Sequence, residues 1–295
     1  MSLKLKIFFI FFLILSLLSI FSFYFFNFNL KNFLFEKELE KMKGLSQIAK
    51  EEIKERAELL KKDIFEISQR ETLFLNDKER VKELISSYSH FSDLILLSFD
   101  GYPIFSLSNE YYGRWDKNNY FLLAKEKKEI VFSEITFQIS KPLLSVFVFS
   151  PLKDGEGNLK FLVFRVPADY FFAPVEKLAK AYPQYVFFAT NPAKKVVFSS
   201  FGRFLGEIFP FQKLDENRIT FSLFDENFLG WQEKLEIGKI NLILAKEEAK
   251  IFKYYFELLK REILYFGFIF IASLLLVLFF SFILISPLNR IIFVL

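Results

Sequence analysis

The chain of 295 residues contains no cysteine and a single histidine, His90. These scarcities exclude disulfides, thiol nucleophiles, haem-attachment motifs and ordinary zinc sites together. Glycine is sparse at ten residues, and neither a Walker-type phosphate loop nor a dinucleotide fingerprint occurs. Any chemistry would have to run on carboxylates and hydroxyls, and no paired acidic motif of the hydrolytic kind is present. The chain is therefore expected not to be an enzyme and to carry no metal or cofactor.

Charge is also missing, but only locally. Residues 7–30 and 263–289 contain no Asp, Glu, Lys, Arg or His. Each run exceeds the roughly 20 residues that a helix needs to cross a bilayer. Spans at 7–28 and 263–285 are expected, with residues 31–262 folded in water on one side. Lys4 and Lys6 precede the first run and Arg290 follows the second, which points both termini, including residues 1–6, to the cytoplasm of a plasma (inner) membrane protein. The first run is longer than a signal-peptide core and lacks a small-residue cleavage site, so an uncleaved anchor is expected.

Removing Lys4, Lys6 and Arg290 leaves 39 − 3 = 36 basic residues against 35 acidic ones in the central part. So even a balance argues against a nucleic-acid partner, which would require a clustered basic face. The forty-four phenylalanines read as a compositional bias rather than a mechanism.

The central part opens with a helix expected over 35–69. Apolar or small residues at Leu39, Met42, Ser46, Ala49, Ile53, Ala57, Leu60, Ile64 and Ile67 recur in steps of three and four. Such a stripe marks a stalk, half of a dimer seam, or a face packed on the chain's own sheet. A second helix is expected from an Asp77 cap through Val81, Leu84 and Ile85. The period then becomes that of strands. Residues 93–99 and 102–107 flank Asp100 and Gly101, residues suited to a tight hairpin turn. A short helix over 117–127 and strands at 130–139, 143–150 and 159–166 follow, the last two joined by a turn at 154–157. Beyond a helix over 167–180, five more strands are expected at 185–190, 196–199, 218–224, 231–236 and 239–245, with turns at Asn191, Pro192 and Gly230 or Gly238. A helix over 246–262 then enters the second apolar run. The expected class is α+β, with two antiparallel-sheet modules in series on a long N-terminal helix and a transmembrane helix at either side.

Four pieces in this order resemble the double Cache sensor domain, the PAS-like extracytoplasmic domain of bacterial chemoreceptors and sensor kinases. They are 94–101 with 102–106, a strand ending in Asp-Gly and then a strand; 113–121, GRWDKNNYF; 149–159, FSPLKDGEGNL; and 231–245 leading into a membrane helix. The resemblance implies a distal module over 70–180 that holds a small ligand, and a proximal module over 181–246 that passes a conformational change to the second span. It also implies roles in chemotaxis or a two-component system. Many relatives hold amino acids through an Arg, an aromatic pair and an Asp. The matching positions here are Asn118 and a site near Val166, so both charged contacts are missing and an amino-acid ligand is not expected. The aromatic wall is expected from Trp115 and Tyr120.

Arg114 and Trp115 fall in the segment that lines the pocket in relatives, where Arg114 would hold an anionic group. Arg165 shares a strand face with Phe161 and Val163, and an arginine there is costly unless partnered. Ser133 and Ser145 on the central strands would donate hydrogen bonds. A small carboxylate or other anion is thus the expected ligand. Residues 286–295, SPLNRIIFVL, resemble the start of a HAMP linker, so the output is expected on a separate cytoplasmic protein or on the rest of a longer receptor. A homodimer through the N-terminal helix and the spans is the other expected partnership. The competing reading is a membrane scaffold with a PAS-like body and no ligand.

Overall fold

The structure is a computed structural model that describes residues 3–70, 78–108, 113–137, 144–153 and 157–292. The chain divides into two compact units, one made of Met1–Glu40 with Glu248–Leu295 and the other of Lys41–Glu247.

The first unit is helical. It holds the start of α1 (Leu3–Ser68) and all of α5 (Glu248–Ile292). Phe12 meets Phe270, Phe23 meets Phe266, and Lys31 lies over the Phe252 ring. Early residues of one helix thus meet late residues of the other, and the pair is antiparallel. Both helices are long and apolar enough to cross a membrane. Phe21, Phe25, Leu264 and Phe268 are more than half exposed on them, an apolar surface that suits lipid better than water.

The second unit contains the two sheets. The rest of α1 is free of proline, and its stripe from Met42 through Ser46, Ala49, Ile53, Ala57, Leu60, Ile64 and Ile67 is fully buried. The three readings of that stripe therefore resolve to one: it is core of its own chain, and a partner copy would need another face. Polar contacts fix α1 along its length. Lys50 Nζ donates to Glu233 at 3.0 Å, Arg56 donates to the Tyr170 carbonyl at 2.8 Å, and His90 Nε2 stands 3.1 Å from Asp63.

The distal sheet follows α2 (Lys78–Ser86) and consists of β1 (Asp93–Leu97), β2 (Pro103–Ser106), β3 (Val131–Phe132), β4 (Thr136–Phe137), β5 (Leu144–Lys153) and β6 (Leu159–Pro167), with α3 (Asn119–Lys127) between β2 and β3. Its order is β2-β1-β6-β5-β3, with β4 also on β5. After α4 (Ala168–Ala181), the proximal sheet uses β7 (Val186–Thr190), β8 (Val196–Ser199), β9 (Gln212–Lys213), β10 (Arg218–Leu223), β11 (Glu226–Leu235) and β12 (Ile240–Glu247), ordered β8-β7-β12-β11-β10-β9. In both modules the first and last long strands are central neighbours, so the same winding occurs twice. The architecture is the α+β pair of antiparallel-sheet modules on a long N-terminal helix.

Several local expectations change. The strand expected over 130–139 is two short strands on β5, because Ser133 interrupts the ladder: its Oγ accepts from the Phe147 N–H at 2.8 Å and donates to the Glu134 carbonyl. Of the two glycines expected at turns, Gly238 does stand in the turn between β11 and β12, with φ 63°, whereas Gly230 is not a turn. It sits inside β11, where an added Cβ would lie 3.0 Å from Ile219 and 3.2 Å from the Leu244 carbonyl, so the neighbouring strands crowd the position. The turn lies earlier, at Phe224 and Asp225, both with positive φ of 53° and 63°, the geometry of a two-residue hairpin. The pair β9 was not expected. The Asp77 cap and the centre of the 154–157 turn lie outside the described residues.

Candidate functional site

The distal sheet has one face that is apolar at one end and polar at the other. Ile95, Leu97, Phe149, Phe161 and Val163 form a buried cluster with Trp115, Phe121 and Ala124. Alternation along the strands carries that face onward to Asp93 on β1, Arg165 on β6, and Phe147 and Ser145 on β5. Asp93 stands directly across from Arg165, and Arg165 directly across from Phe147.

These polar groups are deeply placed. Asp93 is 2% exposed, Arg165 3% and Ser145 3%. Burying a charge is expensive unless hydrogen bonds and opposite charge compensate it. Asp93 is compensated four times: its carboxylate accepts from the Leu94 N–H (2.9 Å), the Ser108 N–H (3.0 Å), Ser106 Oγ (3.1 Å) and Ser108 Oγ (2.7 Å). Arg165 Nε donates to Ser145 Oγ at 3.2 Å, and its own carbonyl accepts from Ser92. The group therefore holds one cation and one anion side by side on the sheet, with four serines around them.

The aromatic side of the face depends on a turn. Gly101 adopts φ +77°, and its carbonyl accepts from the Trp115 N–H at 2.9 Å. That bond places the Trp115 ring edge-on to Phe147 and Phe149, at 5.3 and 5.5 Å. Three residues on, Asn118 caps α3 by accepting from the Tyr120 and Phe121 amides, as its residue type favours. So the position where an arginine was looked for holds a helix cap.

Of the expected residues, Trp115, Ser145 and Arg165 come together on this face. Ser133 serves the backbone at the β3 break. Tyr120 packs its ring against the apolar end of the same cluster, while its hydroxyl donates to Glu134 at 2.6 Å and Lys239 of the proximal module lies 3.5 Å from the same carboxylate. Burial, with Glu134 adding to it, pushes the Tyr120 hydroxyl pKa well above its usual value. Arg114 does not join the buried group. Its side chain is 54% exposed, paired with Asp116 at 3.1 Å and stacked on the Tyr102 ring. The residues that sequence reasoning passed over are Asp93, Ser106 and Ser108. A carboxylate opening the otherwise apolar run DLILL was the available signal.

No protein-family model matches the sequence, and no curated protein matches it. Solved structures do match by fold. The sensory domain of the Campylobacter jejuni chemoreceptor Tlp3 (CcmL) aligns at TM-score 0.58 and 13% identity, over 75% of this chain and 98% of that one. The ligand-binding domain of the Pseudomonas aeruginosa PAO1 amino acid chemoreceptor PctB, solved with L-Arg, aligns at 0.55 and 10% identity, over 73% and 97%. An extracellular ligand binding receptor from Desulfohalobium retbaense DSM5692 aligns at 0.45, and there the chain spans 39% of the other's length. Over about three quarters of its length the chain thus has the fold of chemoreceptor sensor domains.

Proposed function

We propose that the chain is a transmembrane receptor subunit whose distal module takes a small extracytoplasmic ligand bearing a carboxylate or similar anionic group. One observation carries the proposal: a buried arginine, Arg165, on the sheet face that also presents Trp115, Phe147 and Ser145. A guanidinium binds a carboxylate with two parallel hydrogen bonds, and an aromatic wall takes the apolar remainder. The soluble unit would stand outside the cytoplasm with both termini inside, the second span carrying the response to a separate output protein or to the rest of a longer receptor, in a homodimer. A HAMP-like start at 286–295 belongs to the same reading.

A second ligand class has its own observation in favour. Asp93 stands directly across from Arg165, so the anionic partner missing at the end of the last strand is supplied by the first. An α-amino acid would use both charges, and the Tlp3 domain was solved with isoleucine bound. The four bonds already made to Asp93 count against an ammonium there, and the carboxylate reading stands first.

The test is a thermal-shift panel on the full chain in detergent, using matched pairs that differ only in the amine: propionate and alanine, isocaproate and leucine, succinate and aspartate. A ligand at a hundred times its Kd adds about 2.7 kcal/mol. Stabilisation by the acids and not their amino partners supports the first reading, and the converse supports the second. Silence from every pair, with Arg165→Met as stable as the parent, would favour the scaffold.

A further inference from the structure

We infer that the end of the proximal module from which β12 runs out is a lipid-contact surface, with Phe201 and Phe224 as its membrane-touching side chains. The inference rests on the membrane reading of the two apolar helices.

Strand register places these residues together. Phe228 pairs with Glu247, the last residue of β12, so the β10–β11 turn at Phe224 and Asp225 lies at that end of the sheet. Val186 pairs with Ala245, and Phe188 pairs with Ser199. The loop after β8 therefore starts at the same end, and the Ser200 N–H donates to the Phe187 carbonyl there. The two loops meet, with the Phe204 and Phe224 rings 5.5 Å apart. Phe201 remains 50% exposed and Phe224 66%. Two phenylalanines at the tips of tight turns are poorly suited to water, and aromatic rings suit a bilayer interface.

What faces this end follows from the chain. From Glu247 the sequence continues into a helix whose residues 263–289 carry no charge. The other connection leaves by the same end. Along α1, Lys43 lies over Trp231, Lys50 pairs with Glu233, Arg56 bonds Tyr170 and Lys61 lies over Phe132. Rising numbers thus move from the proximal to the distal module, and falling numbers lead out beside β12 to the charge-free residues 7–30. Both covalent links at this end run into helices of membrane-crossing length, which is why the proposed contact is with a bilayer.

The neighbouring charges are mixed. Arg203 is basic, whereas Asp225 and Glu226 are acidic. The contact is therefore apolar in character and should respond little to salt or to anionic lipid content.

The absence of cysteine permits single-cysteine spin labelling of the full chain without background. Phe224→Cys, Phe201→Cys, Ile208→Cys and Phe21→Cys would each be labelled and reconstituted in phosphatidylethanolamine and phosphatidylglycerol vesicles, and in phosphatidylcholine vesicles. The readout is nitroxide accessibility to oxygen against a water-soluble nickel complex. Ile208 is 69% exposed but bridges to Lys195 at the opposite end of the sheet, and is the aqueous control. Phe21, in the first apolar run, is the membrane control. The expected result is a several-fold higher oxygen-to-nickel ratio at positions 224 and 201 than at 208, alike in both lipids. Ratios equal to that at 208, with position 21 deep in hydrocarbon, would overturn the lipid contact alone. An aqueous ratio at position 21 would overturn the membrane reading beneath it.

Discussion

Removing the carboxylate of Asp93 should damage the distal module far more than neutralising it. Asp93→Ala deletes the acceptor for the Leu94 and Ser108 amides, which bond Oδ1 at 2.9 and 3.0 Å. A buried N–H left without an acceptor costs about 1–3 kcal/mol; the Leu94 amide bears that cost and the Ser108 amide, in an exposed residue, adds less, so the pair costs about 2–4 kcal/mol. The Asp93 side chain is 2% exposed, so water replaces it poorly. Asp93→Asn keeps an oxygen for both amides. The hydroxyls of Ser106 and Ser108, which bond Oδ2 at 3.1 and 2.7 Å, can rotate from donating to accepting and meet the new NH2 group. Only charge assistance is lost, about 1 kcal/mol.

For a domain of this size about 1 kcal/mol moves Tm by 2–4 °C. The alanine variant should therefore fall by at least about 4 °C and the asparagine variant by about 2–4 °C. The two tryptophans report the modules separately, Trp115 in the distal and Trp231 in the proximal. Unfolding of the full chain in detergent, followed by tryptophan emission, should show the loss on the Trp115 component. Equal shifts for the two variants, or an alanine variant within about 2 °C of the parent, would refute the claim that hydrogen bonds to Asp93 organise this end of the sheet.

Gly101→Ala should cost about 2 kcal/mol or more, since positive φ alone costs about 1 and the new Cβ would meet the Asp116 amide nitrogen at 2.7 Å; chemical denaturation of the variant checks this. Burial pulls the His90 pKa below 6.5 despite the opposing pull of Asp63. The unfolded chain then takes the proton more readily, so stability held above pH 6.5 falls as pH drops through the folded value, and His90→Gln should flatten that part of the Tm profile. Burial raises the Glu233 pKa, but bonds from Trp231 Nε1 and Lys50 outweigh it and leave the group below 4.5. Glu233→Gln should cost about 1 kcal/mol at neutral pH, a value discounted for partial exposure, and nothing once acid has protonated the parent. Tyr120→Phe removes a 2.6 Å bond to Glu134 and should cost about 1 kcal/mol. If Glu134 joins the modules, hydrogen exchange near Lys239 should quicken in that variant, and unchanged exchange would deny the link.

The order of elements was readable because each rests on local signals. The stripe on α1 has helical period over its whole length, and every member from Met42 to Ile67 is buried. Asp100-Gly101 marked the place of the turn, and Gly101 does carry positive φ, but Asp100 does not, and the strands stop at Leu97 and resume at Pro103, so the turn is longer than the tight two-residue hairpin expected. Gly230 misled for a physical reason: glycine signals both backbone freedom and close approach, and here Ile219 and Ala245 claim the space where a side chain would be. The break between β3 and β4 was equally hidden. A serine in a strand is usually neutral, and nothing local to residues 131–137 shows that Ser133 will capture the amide of Phe147, fourteen residues away.

The candidate site was half legible, and the legible half was the one whose oddity is local. Arg165 stood out because it interrupts the apolar alternation of its own strand. Asp93 gave only a weak signal, a carboxylate at the head of an apolar run, since it opens β1 next to a loop where acids are common. Its meaning appears only when β1 is laid against β6, seventy-two residues later in sequence, and Asp93 faces Arg165. Arg114 drew attention for the opposite reason: its position in the GRWDKNNYF segment was informative, but Asp116 two residues on binds it at the surface. Sequence spacing places residues in a loop, whereas strand register decides which charges are taken out of water. Arg165 is a buried cation opposite a carboxylate that accepts four hydrogen bonds, and this surrounding polarity offsets part of its desolvation. That is why the proposal of an anionic ligand rests on Arg165 and not on the more conspicuous Arg114.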